Sequence, residues 1–199
     1  MDLFSQEKQH LILPNAELLY LPNFFSKQQS DNYFETINTQ TLWRNNDITV
    51  FGKTYKEPRL TALFGDTNKP YGYSNLVLYP NPFTPSLKII KERVEKIADI
   101  EFNTLLINLY RDGSDSNGWH ADNEKELGNN PVIASVSFGE IRPFHFKHRT
   151  LKDQRYKLNL EHGSLLLMKG EMQHYWLHQI AKTKKEIKPR INLTFRKLI

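Results

Sequence analysis

Pro189-Arg190-Ile191-Asn192-Leu193-Thr194-Phe195-Arg196 alternates without a break. In an extended chain Arg190, Asn192, Thr194 and Arg196 fall on one side, and Ile191, Leu193 and Phe195 on the other. The pattern predicts a strand whose apolar side lies on a core. Asn108 and Tyr110, set against Ile107 and Leu109, repeat it earlier in the chain. A planar guanidinium suits bidentate binding of a carboxylate, and burying two such cations without anions costs several kcal/mol. A dicarboxylic acid held against this strand resolves that cost.

A second stretch supplies a metal. In Trp119-His120-Ala121-Asp122 the His and the Asp stand two positions apart, so on an extended segment both project to one side. One further imidazole from a later strand completes two histidines and a carboxylate. This is the ligand set of non-haem Fe(II) oxygenases, which leaves positions open for co-substrate and O2. With 7 His and 22 acidic residues in the chain, roughly one His-x-acid spacing arises by chance. The context of the arginine strand is therefore what gives the pair weight. Chemistry alone leaves the third ligand open among His145, His148, His162, His174 and His178. His174, Trp176 and His178 are expected on one strand face. The joint reading is an iron- and 2-oxoglutarate-dependent dioxygenase.

Outward from these stretches, strands are expected at 104–111, 132–138, 142–147, 156–160, 164–168, 174–180 and 190–197, separated by turn-rich segments such as Asp112-Gly113-Ser114-Asp115. Before them, Ser26 and Gln29 have capping-box spacing and predict a helix over about 26–38. Thr84-Pro85 opens a second helix with Leu87, Ile90, Val94 and Ile97 as its buried stripe. Residues 1–24, broken by Pro14 and Pro22, read as loops and a short strand. Residues 41–65 read as a hairpin region and 66–83 as irregular. Helices first and short strands after predict an α+β chain ending in a double-layer barrel or jelly roll. At 199 residues this is one domain, without repeats, low-complexity segments or an internal linker.

Composition narrows the alternatives. The chain is 39% hydrophobic, too much for disorder, and no apolar run reaches the roughly 20 residues of a membrane span. Met1-Asp2-Leu3-Phe4-Ser5-Gln6-Glu7 lacks the basic and apolar regions of a signal peptide. Zero cysteines exclude disulfides and Cys-based zinc sites and fit an intracellular setting. A net charge of +5 permits a polyanionic partner without demanding one.

Asn108-Leu109-Tyr110, His120-Ala121-Asp122, Ala134-Ser135-Val136-Ser137-Phe138-Gly139, His162-Gly163-Ser164-Leu165-Leu166, His178 and the Pro189–Arg196 stretch together resemble the AlkB family of nucleic-acid dealkylating dioxygenases, closest to its duplex-DNA-repair type. The resemblance covers about residues 45–199. It implies a double-stranded β-helix (jelly-roll) core over about 101–199, preceded over about 1–100 by an N-terminal extension, supporting helices and a nucleotide-recognition lid. It assigns His178 as the third ligand beside His120 and Asp122, and gives Asn108, Tyr110, Arg190, Asn192, Thr194 and Arg196 to 2-oxoglutarate. The implied cofactors are Fe(II), 2-oxoglutarate and O2. The implied activity is oxidative demethylation of 1-methyladenine and 3-methylcytosine in DNA, with release of formaldehyde, succinate and CO2. An RNA demethylase, a protein hydroxylase or a catalytically silent relative are the alternatives, since a fold does not fix a substrate.

The same resemblance places substrate residues. Val50-Phe51-Gly52 matches a hydrophobic finger pushed into duplex DNA, and an apolar pair on a Gly-ended loop is itself a suitable wedge for a flipped base. Tyr71 and Tyr73 match aromatic lid residues that stack on that base, and Arg59 a lid arginine. Asn123 stands where close relatives carry an acidic residue, so base preference does not carry over; Glu124 matches. Lys182, Lys184 and Lys185 match a basic loop facing the DNA backbone. The expected partner is double-stranded DNA with a flipped alkylated base, with single-stranded DNA or RNA as further candidates. No membrane partner is expected, and the protein is expected to be a monomer inside the cell, cytoplasmic in a bacterium or nuclear in a eukaryote.

Overall fold

The computed structural model describes residues 8–50, 52–66, 71–73 and 76–199, and only the backbone of Val50, 71–73 and 76–77. In chain order, β1 (Gln9–Leu13), β2 (Ala16–Leu21) and α1 (Lys27–Gln40) come first. β3 (Asp47–Val50), β4 (Lys53–Lys56), β5 (Leu60–Gly65), β6 (Tyr71–Tyr73) and β7 (Leu76–Leu78) follow, then α2 (Pro85–Ala98). The rest is β8 (Thr104–Tyr110), β9 (Asn117–His120), β10 (Ile133–Gly139), β11 (Arg142–His148), β12 (Arg155–Leu160), β13 (Ser164–Lys169), the single turn α3 (Met172–Tyr175), β14 (Trp176–Ile180) and β15 (Arg190–Arg196).

A seven-stranded sheet ordered β1-β2-β13-β10-β15-β8-β5 faces a four-stranded sheet ordered β12-β11-β14-β9. Every pairing between the strands of these two sheets is antiparallel. Two sheets with inner faces opposed form the jelly-roll core, and β3-β4 and β6-β7 are separate ribbons.

Alternation decides what each face of the large sheet meets. Ile191, Leu193 and Phe195 of β15 and Leu105, Ile107 and Leu109 of β8 join one apolar cluster with Leu87, Ile90 and Val94 of α2. The opposite faces of the same strands turn toward the small sheet, where Phe144, Phe146, Trp176 and Ile180 cluster with Tyr110. Covered on both sides, β8 and β15 are buried along their whole length, polar positions included. That is how Arg190, Asn192, Thr194 and Arg196 come to lie inside the molecule rather than on a wet face.

The helix starts are those the capping residues predict. Ser26 and Gln29 make both bonds of a capping box, and Thr84 accepts from the Leu87 amide with Pro85 at the first helical position. In α2, Ala98 completes the buried stripe and Ile97 is only partly buried.

Three expectations need correction. Residues 9–21 form a hairpin whose second strand joins the large sheet against β13. Pro14 lies in its turn and Pro22 just past its end, so the prolines bound the strands instead of breaking them. Residues expected to be irregular include the β6-β7 ribbon. The strand expected from 174 starts at Trp176, because residues 172–175 wind into a helical turn; His174 is exposed there and bonds to Asn129. Among the described residues no helix is long and apolar enough to cross a membrane.

Gly163 shows how tightly α1 docks on the large sheet. Its φ is +80°, its N–H donates to Ser137 O at 2.7 Å, and its carbonyl accepts from the Phe25 N–H at 2.9 Å. A Cβ there would strike the Ser30 side chain and the Phe25 carbonyl. Gly163→Ala is expected to lower unfolding free energy by at least about 1–3 kcal/mol, from backbone strain alone. Urea titration measures it; an unchanged midpoint would contradict the close approach.

Candidate active site

His120 ends β9 and pairs across the small sheet with His178 of β14. The register puts the two rings side by side, with centroids 4.3 Å apart. Asp122, two residues beyond the strand, brings Oδ2 to 3.9 Å from His178 Nε2. One ligand atom from each of His120, Asp122 and His178 lies within 4.8 Å of the others. His120 is half-buried and the other two are buried.

The surroundings orient these ligands. His120 Nδ1 lies 2.7 Å from Gly118 O, and donation there leaves Nε2, met by Asn117 Nδ2 at 3.1 Å, as the lone-pair nitrogen. Arg196 Nη2 donates to Asp122 Oδ1 at 2.8 Å, which leaves Oδ2 for a cation. The Asp122 backbone N–H donates to Oε1 of the fully buried Gln173 at 2.9 Å. Such outer partners fix a ligand's direction and protonation.

Burial alone would raise the Asp122 carboxyl, but Arg196, helped by His178 and His120, outweighs it and holds the group down to about 2. Burial, reinforced by His120, lowers His178 to about 3. Burial also lowers His120, against the opposing pull of Asp122. All three groups are thus in their metal-binding protonation states at neutral pH.

Beside the triad runs the polar face of β15. Arg190 stands opposite Tyr110 and Asn192 opposite Asn108. Thr194 Oγ1 donates to Asn192 Oδ1 at 3.0 Å, and Asn192 Nδ2 donates to Ser135 Oγ at 2.8 Å. Arg190 is buried, 5.3 Å from the Tyr110 ring centre, and its Nη2 donates to Ser137 Oγ at 2.8 Å. Its Nε and Nη1 are buried without a hydrogen-bond partner. Burial lowers Arg190 to about 10, against the influence of Tyr110. A buried guanidinium with two idle donors is a seat for a carboxylate, and the triad's donor set suits Fe(II). The residues therefore fit both groups. One pocket is lined by the triad, the polar face of β15, Asn108 and Tyr110, with Phe144, Leu160, Met168 and Ile180 as apolar walls.

Among the described residues, none of the remaining expected site residues lines this pocket. Gly52 sits at φ +75° in the turn between β3 and β4; Phe51 lies outside the described residues, as do the side chains of Val50, Tyr71 and Tyr73. Asn123 is exposed and Glu124 half-buried. Lys182, Lys184 and Lys185 are exposed in the β14–β15 loop, which Thr183 N anchors to Gly113 O. Arg59 is buried against Glu57, Asn108 and Ser116. Sequence reasoning missed Gln173, Asn117, Ser135 and Ser137. The serines were accessible from the Ser135-Val136-Ser137-Phe138 alternation; Gln173 had no signal.

The depressed His178 and Asp122 have a consequence for stability. Both bind a proton more weakly folded than unfolded, so the metal-free protein loses stability as pH falls. His178 contributes from about its ordinary 6.5 downward and Asp122 from about 3.8. At pH 5 the His178 contribution is about 2 kcal/mol. Thermal midpoints of chelator-treated protein are expected to drop between pH 7 and 5, and less so in His178→Gln. Equal pH profiles for the two proteins would contradict the assignment.

Comparison with known proteins agrees with this geometry. Residues 17–196 match the 2OG-Fe(II) oxygenase superfamily. The mouse DNA oxidative demethylase ALKBH2 is 36% identical, over 100% of this chain and 87% of that protein. Human ALKBH2 is 39% identical over 88% and 71%. The bovine alpha-ketoglutarate-dependent dioxygenase alkB homolog 3 is 39% identical, and the match spans 88% of this chain and 64% of that longer protein. In fold, the solved structure of OsALKBH1 matches with a TM-score of 0.66 at 17% identity, over 96% of this chain and 99% of that one. The superfamily's cofactors, Fe(II), 2-oxoglutarate and O2, are those the donor sets fit. A histidine–aspartate–histidine cluster beside a buried arginine-bearing strand face in one jelly roll, with similarity to ALKBH2 over the whole of this chain, places it in the AlkB family of the 2OG-Fe(II) oxygenase superfamily.

Proposed function

We propose that this protein repairs DNA by oxidative demethylation of alkylated bases such as 1-methyladenine and 3-methylcytosine. The observation that carries the reading is the junction of the metal triad with the arginine face of β15 in one pocket. It is supported by relatives that are themselves DNA oxidative demethylases.

Bound Fe(II), 2-oxoglutarate and O2 supply the oxidation that converts an N-methyl group into formaldehyde, with succinate and CO2 as co-products. The chain does the rest. His120, Asp122 and His178 hold the metal, and Arg196 keeps Asp122 ionised with one oxygen turned away. Arg190, steadied by Ser137 and Tyr110, and Arg196 would hold the carboxylates of 2-oxoglutarate, with Asn108, Tyr110, Asn192 and Thr194 lining the same pocket. Phe144, Leu160, Met168 and Ile180 keep water from the reacting centre.

For the substrate, we assign Val50, Phe51 and Gly52 to the gap left by a flipped base in duplex DNA; Gly52 lies in the turn between β3 and β4. A methylated base pairs poorly and costs less to extrude, which gives selectivity before any pocket contact. Tyr71 and Tyr73 stack on the flipped base, worth about 1–3 kcal/mol per base. Asn123 and Glu124, directly after the metal ligand, meet its edge, and Asn123 can both donate and accept. Lys182, Lys184 and Lys185 face the phosphates. The protein acts as an intracellular monomer.

The test is anaerobic loading with Fe(II) and 2-oxoglutarate, then O2 and a duplex oligonucleotide carrying one 1-methyladenine. Loss of one methyl per succinate is expected, faster on duplex than on the single strand, and absent in His178→Ala. Succinate without demethylation would transfer the reading to an RNA or protein substrate. No succinate would end it.

A further inference from the structure

The proposed reaction leaves unused the buried pair Glu57 and Arg59, 2% and 4% exposed, although Arg59 matches a lid arginine. Both oxygens of Glu57 are engaged. Oε1 accepts from Arg59 Nη2 at 2.9 Å, and Oε2 accepts from Asn46 Nδ2 at 2.9 Å. Asn46 immediately precedes β3, and its carbonyl accepts from the Glu57 N–H at 2.9 Å, so Glu57 is sewn into the root of the β3-β4 ribbon. Arg59 spreads the other way. Its Nε donates to Asn108 Oδ1 at 2.8 Å and its Nη1 to Ser116 O at 3.3 Å, the residue before β9.

The bond to Asn108 has a directional effect. With Oδ1 committed to Arg59, the amide can turn only its NH2 toward an anion in the pocket that Asn108 lines. Arg59 keeps that geometry only while its charge is answered. Without Glu57, Arg59 would be a buried guanidinium lacking its own anion, and its donors would swing to the nearest other carboxylate.

We propose that Glu57 is a positioning residue for the 2-oxoglutarate pocket: through Arg59 it fixes the Asn108 amide, and through Asn46 it ties that amide to the ribbon that carries the DNA-probing tip. The inference rests on the cofactor reading above and assigns Arg59 to support of the pocket. Glu57→Gln discriminates because it keeps the size and shape of the side chain and removes the negative charge that answers Arg59.

The experiment is calorimetric titration of 2-oxoglutarate into the 199-residue chain saturated with redox-silent Mn(II). Wild type, Glu57→Gln, Glu57→Asp, Arg59→Gln and the Glu57→Gln/Arg59→Gln double variant are compared. Glu57→Gln is expected to bind 2-oxoglutarate about tenfold more weakly, the usual size of an outer-partner effect. Glu57→Asp, which keeps the charge, should bind more weakly than wild type by a smaller factor. The double variant should lose no more than Arg59→Gln alone, because Glu57 acts through Arg59. A merely structural Glu57 would lower the thermal midpoint and leave the affinity of the folded protein unchanged. Wild-type affinity in both Glu57 variants, or losses that simply add in the double variant, would overturn the proposal. Wild-type protein that takes up no 2-oxoglutarate would instead sink the cofactor reading, and this inference with it.

Discussion

The ion pair between Arg196 and Asp122 is the interaction on which the rest of the site depends. Both groups are 2% exposed and their atoms meet at 2.8 Å. Breaking a buried pair by removing one partner typically costs about 3–5 kcal/mol, because the survivor is left charged in a poor solvent. Here the pair also joins two sheets. Arg196 closes the last strand of the large sheet, while Asp122 follows the edge strand of the small one. It keeps the carboxylate ionised, commits one oxygen and leaves the other beside His178. Ligand geometry and sheet packing are therefore one constraint.

Arg190 lies six residues earlier on the same strand face and meets the opposite situation. Ser137 takes one donor, Tyr110 stacks near it, and two donors have no partner. Burying a guanidinium with unmet donors is costly, and under the proposed function a ligand carboxylate would offset that cost. The two arginines of one strand face thus differ: Arg196 is paired with a carboxylate of the chain itself, while Arg190 keeps buried donors unmet. Glu57 and Arg59 repeat the arrangement one layer out, where a buried cation is answered within the chain and spends its remaining donors on the pocket wall.

The core of this organisation is legible in the sequence, because it is written in period two. Arg190–Arg196 and Ile107–Tyr110 announce both the strands and the face that turns inward. Ser26, Thr84 and Pro85 mark the helix starts through local capping chemistry, which needs no tertiary contact. What local pattern could not supply was pairing. Residues 9–21 become strands because β13 offers an edge, and their prolines fall in the turn and beyond the end. Residues 172–175 carry a strand-like alternation, yet they wind into a turn in which Gln173 is buried against the Asp122 amide. Gln173 and Arg59 are distant in sequence from the site residues they hold, by 51 residues to Asp122 and 49 to Asn108. No spacing rule reaches across such intervals. Ligand chemistry alone left His178 among five histidines; the family resemblance singled it out, and the β9–β14 register pairs it with His120.

The most direct test of this account is a crystal structure of the protein grown with Mn(II) and 2-oxoglutarate, with anomalous data collected at the manganese edge. The account requires a single strong peak bounded by His120 Nε2, Asp122 Oδ2 and His178 Nε2. Continuous ligand density should run from that peak to Nε and Nη1 of Arg190. A metal bound elsewhere, or 2-oxoglutarate whose distal carboxylate leaves Arg190 unmet, would contradict it.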